Sequence, residues 1–170
     1  MRIGLISDTH GWIHPSLFKY FSECDEIWHA GDIGSNKVAD ELSDFRPLRA
    51  VCGNIDDASL RRRFALHERF KIDGMSIWMT HIGGTPSRYA PGVAGVIYKD
   101  PPDIFICGHS HIARVQSDPR SGFLYINPGA AGYQGFHQIM TAVRFTIKGT
   151  GISDFELIEL GERGKAPTGT

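Results

Sequence analysis

Five short apolar stretches, each closed by a side chain able to bind a metal, constrain this chain more than any other feature. Residues 3–7 run into Asp8 and His10, 26–31 into Asp32, 49–53 into Asn54, 76–80 into His81, and 103–108 into His109 and His111. Each stretch is β-branched or aromatic and of strand length, and most are followed by a glycine or polar turn, which reads as a strand. Parallel strands of an open α/β sheet end on one edge, and ligands collect at that edge. The pattern therefore predicts that two aspartates, one asparagine and four histidines meet on one rim, an arrangement most simply read as a metal site.

The intervening residues support such a sheet. Segment 14–22 has helical spacing, with Leu17, Phe18 and Phe21 on one side, and 36–44 places Val38 and Leu42 for packing, with Phe45 beyond. With strands at 3–6, 26–29 and 49–52, the first third is a βαβαβ series, which implies parallel strands joined by helical crossovers. Later the character changes. Segments 69–72 and 76–79 flank Asp73-Gly74, a hairpin turn. A short helix is expected over 93–98, stopped by Pro101-Pro102, and further strands over 104–107, 114–117, 123–126, 141–147 and 154–159. Turns fall at Ser121-Gly122 and at 149–151. Parallel units first and antiparallel hairpins later suit two packed sheets with helices outside. One domain over 1–160 is expected, followed by a loose Gly/Pro/Thr tail over 161–170.

Composition narrows the setting. A net charge of −1 over 170 residues is no overall basic footprint, so nucleic acid is not an expected partner. Cys24, Cys52 and Cys107 form no CxxC pair and are expected to be buried thiols in a reducing compartment. Met1-Arg2 leads straight into a strand, and no apolar stretch approaches the ~20 residues that span a bilayer. The expectation is a cytoplasmic protein without a membrane association; self-association is left open.

Taken singly, the motifs are weak. Asp8-Thr9-His10 faces one way if the segment is extended, Gly31-Asp32 and Gly53-Asn54 are common turn dipeptides, and His81 could simply end a strand. Gly108-His109-Ser110-His111 is stronger. In order, the five sets resemble the calcineurin-like metallophosphoesterase superfamily, and the short chain resembles its small branch of YfcE-type phosphodiesterases. The resemblance covers residues 1 to about 160. It implies a four-layer α/β/β/α sandwich with two mixed sheets. It also implies two metal positions, one held by Asp8, His10, Asp32 and His111 and the other by Asp32, Asn54, His81 and His109, with Asp32 bridging. Oxygen and imidazole donors without thiolate suit divalent manganese, the first expectation, or iron, zinc, nickel or cobalt. Such a pair activates a bridging hydroxide for in-line attack on a small phosphate ester. Asp32, Asn54, His109 and His10 are then expected nearest the chemistry. A catalytically weak member acting as a protein scaffold, and a nuclease, are the other readings.

The chain also departs from the family pattern. Many members follow Gly-Asn with histidine, and the small branch often with cysteine; here Ile55 stands there, followed by Asp56. Isoleucine cannot donate a proton, a contribution worth typically ~10²–10⁴-fold, so activated diesters are expected to outrun alkyl monoesters, with His10 or water as a source of acid. Ala130 replaces the serine of the family's Asn-Pro-Gly-Ser turn, and Asn127 is expected to hold that turn. Among secondary candidates, Arg61-Arg62-Arg63 reads first as a solvated charge run and second as a phosphate clamp. His29 is expected to buttress the Asp32 loop. His14, His67 and His137 read as ordinary surface or packing histidines, Tyr89, Tyr133 and Phe136 as packing, and Gly83-Gly84 as a close approach of backbone at the rim.

Overall fold

A computed structural model describes residues 1–164. Strand β1 (Arg2–Ile6) alternates its side chains across a sheet: Ile3 and Leu5 enter the core between the two sheets, while Ile6 enters a second core beneath helices. Helices α1 (Ser16–Tyr20) and α2 (Asn36–Phe45) bury Leu17, Val38, Ala39 and Leu42 in that second core. They connect β1 to β2 (Glu26–His29) and β2 to β3 (Leu48–Ala50), and the three strands are parallel in the order β1-β2-β3. Two long antiparallel strands, β11 (Ile139–Lys148) and β12 (Gly151–Glu162), complete this five-stranded sheet on the β1 side.

The second sheet runs β4 (His67–Ile72), β5 (Met75–Thr80), β8 (Ile104–Ile106), β10 (Leu124–Pro128) and β9 (Ala113–Ser117). Its outer strands pair antiparallel, as the Asp73-Gly74 turn leads one to expect. Its centre is a second parallel triplet, β5-β8-β10, which the hairpin-rich sequence did not suggest. The crossover from β5 to β8 carries the small hairpin β6 (Gly84–Thr85) and β7 (Arg88–Tyr89) and the short α4 (Pro91–Ala94), long enough to bring the chain back in the same direction. Val93 and Ile97 from this crossover cover Trp78, Phe105 and Tyr125 on the outer face. The result is the expected α/β/β/α layering, with a thin fourth layer.

Several boundaries differ from expectation. Helix α1 is shorter than 14–22: it begins after Pro15, which caps it without a side-chain bond, and it ends at Tyr20, where Phe21 leaves the helical conformation. Helix α4 starts two residues before the expected 93–98, with Pro91 in its first turn. Helix α3 (Ala58–Arg63) was not anticipated; Asp57 caps it, accepting from the Ser59 and Leu60 N–H groups, a signal present in the sequence. Strand β12 runs on through Glu162 because Gly161 and Glu162 pair with Met140 and Ile139, so the tail does not begin at Gly161; residues 165–170 lie outside the described residues. Among the described residues, no helix is long and apolar enough to cross a membrane.

Candidate metal centre

Both parallel triplets end on the same rim. β1 delivers Asp8 and His10, β2 Asp32, the segment after β3 Asn54, β5 His81, and β8 His109 and His111. Backbone bonds tie these loops together: Asp8 N–H donates to Gly31 O (3.0 Å), His10 N–H to Asp32 O (3.0 Å) and Gly108 N–H to His81 O (3.1 Å). Asp8 and His10 do not face one way because the segment is extended. Both are left-handed, with φ of 55° and 48°. Asp32, His109 and His111 share that conformation, so five of the eight non-glycine residues with positive φ among the described residues are candidate donors. Each such residue costs on the order of 1 kcal/mol, a strain that collects at this rim.

The donors form two groups, Asp8–His10–His111 and Asp32–His81–His109, with the potential ligand atoms of each group within 4.8 Å of one another. The groups also touch. Asp32 Oδ2 lies 3.2 Å from His81 Nε2 and 3.7 Å from His10 Nε2, while Asp8 Oδ1 lies 3.2 Å from His111 Nε2 and 3.9 Å from His81 Nε2. Donors each about 2.1 Å from one ion stand roughly 3 Å apart, the spacing of the shorter pairs. Asp8 Oδ1, His10 Nε2 and His81 Nε2 are buried without a hydrogen-bond partner. Unpartnered buried carboxylate oxygens and ring nitrogens turned toward one another are expensive unless a cation lies among them. The residues therefore fit a divalent metal. Asn54 sits exposed on the same rim and, with His81, lines an adjoining cavity of about 340 Å³.

The remaining atoms of these side chains are committed. His81 Nδ1 lies 2.8 Å from Ala30 O, and a carbonyl only accepts, so Nδ1 carries the hydrogen and Nε2 faces the carboxylates. Burial alone would lower the His81 pKa; the adjacent Asp32 carboxylate, with Asp8 and the Ala30 carbonyl, outweighs burial and raises it. Burial would likewise raise the Asp32 pKa, and His81, the Ile55 N–H and His10 together hold it below the usual range. Asp32 Oδ1 accepts from Ile55 N–H at 3.0 Å, so residue 55 serves the rim through its backbone whatever its side chain. Asp8 Oδ2 accepts from His109 N–H at 3.1 Å.

A further set of residues supports the rim. His29 is fully buried; its Nδ1 accepts from Gly31 N–H (3.1 Å), so Nε2 donates to Thr9 Oγ1 (2.9 Å), whose hydroxyl donates to Ile33 O (3.0 Å). This is the buttress expected of His29. Asn127 holds its turn by accepting from Gly129 N–H, and also donates to Gly108 O at 2.8 Å, steadying the His109 loop. Arg61 is neither a solvated charge nor a phosphate clamp: it donates to the Asp56, Gly53 and Asn54 carbonyls and folds the Asn54 loop. Buried Asp56 accepts from Gly34 and Gly53 N–H, both at 2.7 Å, clamping the Asp32 loop to the Asn54 loop. Its only sequence signal was an acidic residue beside the Asn54 turn. His14 and His67 pack edge-on or tilted against Trp12 and Trp78 as expected. Tyr133 packs on Trp12, whereas Phe136 is fully exposed. His137 departs from the expectation of an ordinary histidine: its Nδ1 lies 3.2 Å from His111 Nδ1.

This geometry agrees with the family comparison. Residues 1–150 match the calcineurin-like phosphoesterase superfamily domain. The chain belongs to that superfamily. A probable metallophosphoesterase of Methanocaldococcus jannaschii is 31% identical over 136 residues, 76% of this chain and 68% of that protein. The fold is also that of a solved archaeal phosphodiesterase (TM-score 0.71, 22% identity, 94% of this chain and 99% of the other). It is shared too by Vps29 of Entamoeba histolytica, solved with Zn²⁺ (TM-score 0.69, 16% identity, 95% and 100%). The chain thus combines membership of that superfamily with a rim suited to divalent metal.

Proposed function

We propose that the chain is a phosphodiesterase working with two divalent ions, one held by Asp8, His10 and His111 and the other by Asn54, His81 and His109, with Asp32 shared between them. The carrying observation is the contact between the two donor groups: Asp32 Oδ2 stands within 3.7 Å of a ring nitrogen from each. Manganese is the first candidate, with iron, zinc, nickel and cobalt behind it. Two divalent ions exceed the two carboxylates by two positive charges, which favours an anionic phosphate. When bound, such a pair supplies a nucleophile at neutral pH and stabilises the attacking and leaving oxygens of an in-line displacement.

The chain's own residues do the rest. Ile55 N–H and the Asp56 clamp hold Asp32 in place, and the Ala30 carbonyl aims His81. His10 Nε2 faces both carboxylates, so it serves as a ligand and leaves protonation of the departing oxygen to solvent. Beside the rim, Leu66, Ile82, Pro91 and Val93 line the 340 Å³ cavity with Cys52 and His67. Among the described residues no carboxylate lines it, and Asn54 and Arg61 border it beside these apolar side chains, which suits the organic group of a phosphate diester. A scaffold role is the second reading, favoured by exposed Ile55, Ile82, Leu66 and Phe136 around the rim.

The test loads the metal-free chain with each candidate metal and reads metal content together with hydrolysis of an aryl diester and an alkyl monoester. Two equivalents of metal and faster diester turnover are expected, with Asp32→Ala losing both. Unchanged turnover in Asp32→Ala, or a chain that holds metal and hydrolyses neither ester, overturns the reading.

A further inference from the structure

The loop over residues 129–138 joins β10 to β11 and passes beside His111. We infer that His137 is a positioning residue that decides which nitrogen His111 presents to a metal, so that the Asp8–His10–His111 position depends on this loop. The inference builds on the reading of the rim as a metal centre.

The hydrogen positions follow from one carbonyl. His137 Nε2 lies 2.9 Å from Gly132 O. A carbonyl accepts only, so Nε2 carries the hydrogen, and Nδ1 of the neutral ring is a lone pair. That lone pair faces His111 Nδ1 at 3.2 Å, with the two rings edge-on and their centroids 5.1 Å apart. His111 Nδ1 must then be the donor. Its Nε2 is left as a lone pair, 3.2 Å from Asp8 Oδ1. Gly132 is itself fastened to the rim, its N–H donating to Asp8 O at 3.1 Å. Two of the three donors in this group, Asp8 and His111, thus hang on the same residue.

Gly135 shows how closely the contact is built. A Cβ there would lie 2.0 Å from His111 Nδ1 and 3.1 Å from His137 Nδ1, directly against the N–H···N bond. Its φ of 131° is also one that side-chain-bearing residues rarely adopt. By contrast, His81 takes its orientation from Ala30 O and has no part in this relay. Groups that orient a histidine ligand through its second nitrogen are typically worth ~10–100-fold in metal affinity, so the effect of His137 falls on one position.

Two measurements decide the matter. Calorimetric titration of the metal-free chain with Mn²⁺ is expected to show one position weakened ~10–100-fold in His137→Ala, and the other unchanged. Gly135→Ala, which keeps both histidines but puts a Cβ 2.0 Å from His111 Nδ1 and so pushes the two rings apart, is expected to behave alike. His137→Gln, whose carboxamide can accept from His111 and donate to Gly132, is expected to restore affinity to within a few-fold. Nitrogen NMR of the metal-free protein at alkaline pH is expected to find His111 as the Nδ1–H tautomer in the parent chain and in His137→Gln, and as a mixture in His137→Ala. A parent chain with His111 mixed or protonated on Nε2 overturns the inference, as does a His137→Ala chain whose two positions weaken equally or not at all. The tautomer needs neither bound metal nor turnover, so this inference and the phosphodiesterase reading fail separately.

Discussion

Adding one methyl group at Gly53 tests whether the rim is a close-packed device or a loose collection of ligands. The backbone there is not left-handed, so alanine is conformationally acceptable; what opposes it is space. A Cβ at Gly53 would lie 2.0 Å from Asp32 Oδ1 and 2.2 Å from Asp32 N, against an ordinary contact of 3.4 Å or more. A side chain can rotate away, but the Asp32 backbone cannot, so the two loops must part by about 1 Å. Overpacking of this kind costs ~1–3 kcal/mol. Separation also loses the bond from Ile55 N–H to the Asp32 carboxylate, 3.0 Å in the native protein, worth ~1.5–3 kcal/mol because the acceptor is charged. Together Gly53→Ala should cost about 2.5–6 kcal/mol, which at this chain length lowers Tm by roughly 5–24 °C. Gly92→Ala is the control: its Cβ meets nothing within 4 Å, and in α4 it should be neutral or stabilising by under ~1 kcal/mol. Thermal unfolding of the metal-free proteins measures both, and competition with a chromophoric chelator measures the affinity that Asp32 contributes. If Gly53→Ala matched Gly92→Ala in stability and retained parental metal affinity, the close approach inferred here would be wrong.

Ile55→His should raise turnover of alkyl esters by ~10²-fold or more by supplying a proton donor. Metal content should not change, because position 55 holds Asp32 through its backbone; steady-state kinetics with metal analysis would show a failure of either part. Hydrolysis of a chiral phosphorothioate diester in isotopically labelled water should invert configuration at phosphorus, as direct attack requires, whereas net retention would demand a covalent intermediate. Burial, partly offset by Asp56 and Asp8, pushes the His29 pKa down to about 4 from the usual 6.5. Between those values the unfolded chain binds a proton that the native chain refuses. The stability from His29 is therefore fully present above pH 6.5 and lost as pH falls toward 4, by up to about 3 kcal/mol. Urea unfolding across this range should show a pH slope smaller by up to one proton in His29→Gln, and an unchanged slope would refute the assignment.

Much of this molecule was legible before folding. The apolar runs of β1, β2, β5 and β8 declare strands by residue type and length, and the helical spacing of Val38 and Leu42 declares the face that α2 buries. The misses have local causes. α3 depends on a single cap at Asp57, and the parallel pairing of β5 with β8 depends on a crossover whose four-residue helix carries little periodicity. In the sequence Asp56 shows only as the residue following Ile55 and His137 reads as an ordinary histidine, because their significance lies in what they touch: Gly34 and Gly53 for one, His111 and Gly132 for the other.

The sequence by itself determined which donor atoms this protein owns and that strand ends would carry them, because side-chain chemistry and short-range periodicity are local properties. The division of those donors into two sets was implied by the family resemblance; only the tertiary structure decided that the two sets touch and which ring nitrogens face inward. Lone-pair directions are set by partners at the far side of each ring or carboxylate. Folding supplies those partners from distant places: Ala30 for His81, His137 for His111, and the backbone of His109, 101 residues away, for Asp8.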